Sequence, residues 1–202
     1  MSSLKKNSQL ISRRATLKAT ATALLTAMAG APVLAQAQTQ TAGSNKVLIV
    51  YFSKTGNTRT IAQEIHRVIG GDIFEVRTAQ PYPESYRATV DIARKEQDEN
   101  ARPVLVADMD SLAQYDTIFI GYPNWWGTLP MAMFTFLESK DFNGKTVVPF
   151  CTHEGSGLGR GPNDLRRRCA DATLLDGLAV RGSRASRAQE DVSDWLKALK
   201  FI

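Results

Sequence analysis

The sequence predicts an α/β fold: a doubly wound, five-stranded parallel sheet covered by helices on both faces, in three layers. Three observations support this prediction. Short apolar runs alternate with helical patterns throughout residues 46–202. The runs contain few polar residues, which is typical of strands buried on both faces of a parallel sheet. Polar or glycine-rich turns follow three of the runs, and ligands bind to this architecture at the carboxyl ends of its strands.

The first half of the sheet is predicted from two strands and two helices. Residues 47–52 form an uninterrupted apolar run, and the helix that follows Thr58 has apolar residues at helical spacing on one face. A second strand covers about residues 73–77. The sequence Tyr82-Pro83-Glu84 is predicted to open a long polar helix that ends at about Lys95.

The second half adds three strands and three helices. The predicted strands cover residues 117–121, 146–151 and about 174–180, and the predicted helices start at Pro130, lie around residues 162–170, and close the chain. The helix after Pro130 is expected to carry Met131, Phe134 and Leu137 on one side. Ser186 and Gln189 have the spacing of a capping box in front of the last helix, which has a clean apolar stripe.

Residues 1–37 have the features of an export signal. This stretch contains five basic residues and no acidic one, then an apolar segment, and it ends in Ala35-Gln36-Ala37, which fits a cleavage site. Arg13 and Arg14 lie in a pattern that matches a twin-arginine signal, except that Thr16 replaces the usual Phe. The alternative interpretation is a basic cytoplasmic tail.

The domain organisation follows from this signal. We predict a twin-arginine signal peptide at residues 1–37, a linker at 38–45 and one domain at 46–202, located in the periplasm. The apolar segment of the signal is too short for a convincing membrane span, so we expect none after signal removal. The twin-arginine route exports folded proteins, which suits a protein that must bind a cofactor first.

The charge of the chain changes when the signal is removed. The full chain has 25 basic and 20 acidic residues, but five of the basic residues precede Gln38, which leaves 20 against 20. The mature chain is therefore formally neutral, and its charge does not favour binding to nucleic acid or to an anionic membrane.

The turn after the first strand is predicted to bind an anion. It combines three hydroxyls, a side-chain amide, a lysine and a glycine in front of a helix N-terminus, where free N–H groups and the helix dipole favour negative charge. These residues are Ser53, Lys54, Thr55, Gly56, Asn57 and Thr58. The two common nucleotide fingerprints are absent from the sequence, so a terminal monophosphate is the expected anion. The alternative is an ordinary strand–turn–helix with a threonine N-cap.

The turns after strands three and four supply the rest of the predicted site. The first contains Pro123, Asn124, Trp125, Trp126 and Gly127, and its indoles would stack on a planar aromatic ligand beside the phosphate site. The second contains Thr152, His153, Glu154, Gly155, Ser156 and Gly157. An aromatic pair in the core or at a partner interface is the alternative for the tryptophans, and a flexible connector is the alternative for the glycine-rich segment.

With these three motifs in this order, residues 45–202 resemble the short-chain flavodoxin-like family. The resemblance implies strand order 2-1-3-4-5 and FMN as cofactor, with Ser53, Thr55, Gly56, Asn57 and Thr58 holding its phosphate. It further implies that residues 124–127 stack on the isoalloxazine and that residues 152–157 contact its pyrimidine edge. The chain departs from typical flavodoxins, which are strongly acidic. Arginines occupy positions 160, 166, 167, 168, 181, 184 and 187, and the run 166–168 is interpreted as a solvated helix face.

Two functions from different classes follow from the resemblance. The first is an exported electron carrier that passes electrons one at a time through a flavin semiquinone, which a flipped peptide near Gly127 would stabilise. The second is an FMN-dependent NAD(P)H:quinone or nitro-compound reductase, in which His153 or Tyr122 would hold the acceptor. A module that only stores FMN is a third interpretation. The sequence assigns no catalytic residue, no metal and no redox partner, and we expect a monomer or weak dimer.

The two cysteines, Cys151 and Cys169, are predicted to stay unpaired. Cys151 ends strand four, and Cys169 lies about eight residues along the following helix, on the order of 12 Å away at about 1.5 Å per residue. A disulfide requires Cα atoms within roughly 7 Å of each other.

Overall fold

The computed structural model describes residues 46–202, so the predicted signal peptide and linker lie outside the described residues. The strands are β1 (Val47–Tyr51), β2 (Asp72–Glu75), β3 (Thr117–Pro123), β4 (Thr146–His153), β5 (Thr173–Leu174) and β6 (Leu178–Arg181). The helices are α1 (Asn57–Ile69), α2 (Tyr86–Asp98), α3 (Met131–Glu138), α4 (Gly161–Arg168) and α5 (Gln189–Ala198), with a 3₁₀ helix at Gly182–Arg187.

The sheet is parallel in every pairing and follows the order β2-β1-β3-β4-β5, with β6 also paired to β4. This order confirms the predicted doubly wound topology. Successive residues of β1 alternate between the two faces, as a strand requires: Leu48 and Val50 pack on one side, and Ile49 and Tyr51 on the other. All four are buried.

Two hydrophobic cores therefore flank the sheet and form the three layers. Ile61 and Ile65 of α1 and Leu196 of α5 pack on the face that contains Ile49. Phe136 of α3 and Leu165 of α4 pack on the opposite face. Each fully buried side chain of this kind contributes about 1.5–3 kcal/mol relative to leaving it exposed, so burial on both faces explains why the strands are apolar almost without interruption.

The predicted fifth strand is split into β5 and β6, and Pro149 of β4 accounts for the break. The N–H groups of Thr173 and Leu175 donate to the carbonyl oxygens of Lys145 and Val147 at 2.8 and 2.9 Å. Backbone groups alternate along a strand, so Pro149 is the next residue that faces this neighbour, and it has no N–H to donate. Pairing resumes beyond it, at Phe150 and Leu178.

Two helix predictions needed correction. Helix α2 begins at Tyr86 and not at Tyr82, because Ser85 is its N-cap and its Oγ accepts the N–H of Ala88 at 3.4 Å. The capping box before α5 is wrong: Ser186 belongs to the 3₁₀ helix, and α5 starts after Ala188 without a side-chain cap.

Met131, Phe134 and Leu137 of α3 are all buried in one core, as predicted, and three further residues of the helix are buried with them. Within residues 46–202, no helix is both long and apolar enough to cross a membrane.

Candidate functional site

The three predicted loops meet at one edge of the sheet because β1, β3 and β4 are neighbours. The register pairs Tyr51 with Gly121, and Pro123 with Thr152. We call the three segments that leave this edge the hydroxyl turn (residues 53–58), the tryptophan turn (residues 125–128) and the glycine loop (residues 154–159). Their convergence follows from strand order alone.

The hydroxyl turn leads into an open helix N-terminus. Gly56 is the N-cap of α1 and has φ of 91°, a left-handed conformation that glycine adopts without strain. The helix start has no side-chain cap hydrogen bond and no acidic residue in its first turn. Ser53 Oγ accepts the N–H of Arg59 at 3.2 Å, which braces the turn. The N-cap is thus a glycine and not a threonine, and the end of α1 is suited to an anion.

Thr58 and Thr152, two of the predicted binding residues, contact each other. Their hydroxyl oxygens are 2.8 Å apart and hydrogen-bonded, and both side chains are buried. They join the start of α1 to the end of β4 beneath the site. One hydroxyl donates to the other, and the hydrogen of the accepting hydroxyl stays available for a second bond. The pair thus has a structural role, and its contact with a ligand stays a prediction.

Asn57 and Glu154 lie at the rim beside the 3₁₀ helix. A Cβ at Gly182 would lie 2.5 Å from Asn57 Nδ2 and 2.6 Å from Glu154 Oε1. Glycine at position 182 therefore lets the hydroxyl turn and the glycine loop approach the 3₁₀ helix closely.

A cavity of about 370 Å³ opens beside the hydroxyl turn. Six of its lining residues were predicted from the sequence: Lys54, Thr55, Pro123, Asn124, Trp125 and Trp126. Five more come from α2 and the segment before it: Glu84, Tyr86, Thr89, Val90 and Ala93. This α2 wall is absent from the sequence prediction, although Tyr86, Val90 and Ala93 have the spacing of one helix face.

The tryptophan turn is a two-residue hairpin. The N–H of Trp125 donates to Thr128 O at 2.9 Å, and the N–H of Thr128 donates to Trp125 O at 3.1 Å. Trp126 and Gly127 between them have φ of 50° and 85°, as in a type I′ turn. The carbonyl of Gly127 accepts the N–H of Arg160 at 2.8 Å. Gly127 is thus required by the turn, and its own carbonyl is held by a hydrogen bond.

The two adjacent tryptophans point into different surroundings. Trp125 makes edge-to-face contacts with Phe52 and Tyr82, at centroid distances of 5.3 and 5.0 Å, and packs against the core. Trp126 is 44% exposed. Its Nε1–H donates to the carbonyl of Val90 at 3.1 Å, and the Arg94 guanidinium lies 4.9 Å from its ring centroid. Trp125 is therefore largely a core residue, and Trp126 is the more accessible stacking surface.

The glycine loop is tied to the tryptophan turn and its flanks. Asn124 Nδ2 donates to Gly157 O at 2.9 Å, and the N–H of Asn124 donates to Thr152 O at 2.8 Å. Gly159 packs so closely that a Cβ would collide with Gly127 O. These contacts argue against the flexible-connector interpretation of this loop. Its outer residues, Gly155 and Ser156, are exposed.

The side chains proposed to hold an acceptor are already engaged. Tyr122 is fully buried, its hydroxyl donates to Leu158 O at 3.0 Å, and burial raises the pKa of that hydroxyl well above its usual range. His153 Nδ1 accepts the N–H of Gly155 at 2.9 Å. Tyr122 therefore cannot contact a ligand, and His153 orders its own loop.

Both cysteines are unpaired and buried in the same core. Burial raises the pKa of the Cys151 and Cys169 thiols to about 12. Neither is suited to act as a nucleophile near neutral pH. Among residues 46–202, no cluster of side chains has the composition of a metal site.

These features fit a ligand that carries a phosphate at one end and a flat ring at the other. The free start of α1 would receive the phosphate, and a Cβ at Gly56 would meet no atom within 4 Å, so space is open there. The indole of Trp126 borders the adjoining cavity. Lys54 and Thr55 belong to the hydroxyl turn in front of the proposed anion site at the start of α1, and they line the same cavity as the indole of Trp126.

Comparison with known proteins agrees with this description. A family model described as flavodoxin matches residues 46–199. A flavodoxin of Synechocystis sp. is 32% identical over 109 residues, 52% of this chain and 50% of that protein. An NAD(P)H dehydrogenase (quinone) of Acidovorax ebreus is 30% identical over 97 residues, 46% of each chain. The matches thus span about half the length of these curated relatives.

Solved structures share the fold. A crystal structure described as a candidate flavoprotein of Bacteroides uniformis is 32% identical, with a TM-score of 0.66, and the match covers 76% of this chain and 98% of that one. A flavoprotein of Lactobacillus acidophilus, solved in complex with FMN, has the same fold at 24% identity and a TM-score of 0.57, covering 71% and 97% of the two chains.

Proposed function

The chain belongs to the flavodoxin family, and from this premise we propose that it binds FMN and carries electrons one at a time between redox proteins. The observation that carries the proposal is the open N-terminus of α1 next to a cavity bordered by Trp126. FMN, when bound, supplies the redox chemistry, and the protein tunes it through stacking, hydrogen bonds and nearby charge.

The phosphate is assigned to the hydroxyl turn. The side chains of Ser53, Thr55 and Asn57 and the N–H groups of Asn57 and Thr58 would bind it there, and Lys54 would add a positive charge. Hydrogen bonds to a charged acceptor contribute about 1.5–3 kcal/mol each. Thr58, which the sequence also nominates, supports this turn through Thr152.

The flavin ring is assigned to the space between Trp126 and the glycine loop. Asn124 donates hydrogen bonds to Thr152, in β4 just before that loop, and to Gly157 within it, and so holds the loop close to the tryptophan turn. A site whose walls are joined in this way is largely formed before the ligand binds, which limits the ordering cost of binding.

An electron carrier agrees best with the absence of a Rossmann fingerprint from the sequence and with the burial of Tyr122. The alternative is an NAD(P)H:quinone or nitro-compound reductase. One observation favours it: the cavity extends beyond the three loops to Glu84 and to Tyr86 of α2.

Stepwise reduction of the FMN-loaded protein separates the two functions. A carrier is expected to accumulate the one-electron-reduced flavin, seen in the visible spectrum, and to oxidise NAD(P)H slowly. Turnover of quinone with NAD(P)H at about 1–10³ per second, without a one-electron-reduced species, would establish the reductase instead.

We also propose that the protein is exported through the twin-arginine route with its flavin bound. Arg13→Lys together with Arg14→Lys is expected to retain the flavin-loaded precursor in the cytoplasm, as measured by cell fractionation and immunoblotting. The matched control is Lys5→Arg with Lys6→Arg, which leaves the arginine pair intact. Normal export of the double-lysine precursor would refute the proposed route.

A further inference from the structure

Trp126 is a large side chain at the tip of a two-residue turn. The turn fixes its backbone, but 44% of the residue is exposed, and an exposed side chain ordinarily samples several rotamers. A stacking wall that becomes ordered only when the ligand binds loses part of its binding free energy to that ordering. Any contact that orders the indole beforehand therefore increases the affinity of the site.

Helix α2 makes two such contacts. The indole Nε1–H donates to the carbonyl of Val90 at 3.1 Å. One turn further along α2, the guanidinium of Arg94 lies 4.9 Å from the centroid of the indole ring, within the range of a cation–π interaction. Arg94 is itself held by Asp98, whose Oδ2 accepts its Nε–H at 2.9 Å.

The indole borders two spaces. The cavity of the candidate site is lined by Trp126 but not by Arg94. A second, more open depression is lined by Trp126, Arg94 and Asp98 together with other residues of α2. Arg94 therefore contacts the indole without lining the cavity in which the flavin would stack.

From this arrangement we infer that Arg94 is a positioning residue for the flavin site. Its guanidinium holds the indole of Trp126 in the orientation that stacks on the isoalloxazine. The inference rests on the proposed function, because it takes the flavin to be the ligand of the cavity. Arg94 acts through Trp126 alone. Removing it should loosen the indole in the flavin-free protein and weaken flavin binding to a similar extent.

The test uses three variants of the same helix. Arg94→Met removes the cation and keeps most of the side-chain volume, and Arg94→Lys keeps a cation. Arg87→Met is the matched control, since Arg87 is an exposed arginine on α2 that does not line the cavity. Hydrogen exchange of the Trp126 indole N–H is followed by ¹⁵N NMR in the flavin-free protein. The chain has three tryptophans and therefore three indole N–H signals. The signal of Trp126 is assigned as the one that disappears in the Trp126→Phe variant.

In Arg94→Met, we expect indole exchange about two- to fivefold faster and a Kd for FMN about two- to fivefold higher, the range of an exposed cation–π contact. Arg94→Lys should restore most of both, and Arg87→Met should match the wild type. Unchanged exchange or unchanged FMN affinity in Arg94→Met would overturn the inference while leaving the proposed function intact. Failure of the wild-type protein to bind FMN would refute the proposed function, and the inference with it.

Discussion

Gly56 in the hydroxyl turn and Gly159 in the glycine loop both have positive φ, 91° and 58°. At Gly56 the space that a Cβ would occupy is open, whereas at Gly159 it is filled by Gly127 O and Asn124 Nδ2. The hydroxyl turn is thus open at Gly56, and the glycine loop is packed against the tryptophan turn at Gly159. One region leaves its groups available to a ligand, and the other uses its groups to hold the site in shape.

This difference predicts that substitutions in the two regions affect different properties. Changes in the hydroxyl turn should lower flavin affinity and leave folding largely intact. Changes where the glycine loop meets the tryptophan turn should lower the free energy of unfolding even without flavin.

The largest effect is expected for Gly159→Ala. The matched control is Gly157→Ala, because Gly157 has nearly the same φ, 57°, but open space at its Cβ position. Left-handed backbone strain should cost each variant about 1–2 kcal/mol of unfolding free energy, and the collision should cost Gly159→Ala about 1–3 kcal/mol more. Urea denaturation of the flavin-free protein measures both. Equal losses in the two variants would show that the close packing at Gly159 is not important.

The next largest effect is expected in the hydroxyl turn, on the affinity for FMN. Thr55→Val removes an exposed hydroxyl of the hydroxyl turn and is expected to raise the Kd for FMN about 10- to 150-fold, the range for loss of a hydrogen bond to a charged group of about 1.5–3 kcal/mol. Isothermal titration calorimetry gives the value. Thr173→Val, an exposed threonine on β5, is the control and should leave the Kd unchanged. A normal Kd in Thr55→Val would place the phosphate elsewhere.

A smaller effect tests the hydrogen bond between the start of α1 and the end of β4. Thr58→Val or Thr152→Val leaves the other buried hydroxyl without its partner and should cost about 1–3 kcal/mol of unfolding free energy. The double variant should cost less than the sum of the two, because no unpaired hydroxyl remains. Additive losses in a double-mutant cycle would mean that the 2.8 Å contact between the two hydroxyls contributes nothing.

Much of this fold is predictable from the sequence because the strands are buried on both faces, which makes them short apolar runs that periodicity detects. The split between β5 and β6 is not predictable in this way. Pro149 interrupts pairing only on the side to which its missing N–H would point, and that side depends on the register of the finished sheet.

The site is less predictable than the fold. Strand order places the three loops together, so the sequence motifs suffice to locate them. Thr58 and Thr152 are 94 residues apart, and nothing local distinguishes a threonine that binds a ligand from one that binds another threonine. The adjacent residues Trp125 and Trp126 border the same cavity but differ in burial: Trp125 packs against the core, and Trp126, at the tip of a type I′ turn, is exposed. The α2 wall depends on how α2 packs beside the loops, which its own sequence does not specify.

The central claim is that the open N-terminus of α1 binds the phosphate of FMN, and a comparison of FMN, riboflavin and FAD tests it most directly. The flavin-free protein is titrated with each, and quenching of flavin fluorescence is recorded. We expect FMN to bind tightest and riboflavin at least about 100-fold more weakly, since riboflavin lacks the group that would receive two or more hydrogen bonds of about 1.5–3 kcal/mol each. Equal affinity for riboflavin and FMN, or a preference for FAD, would contradict the account.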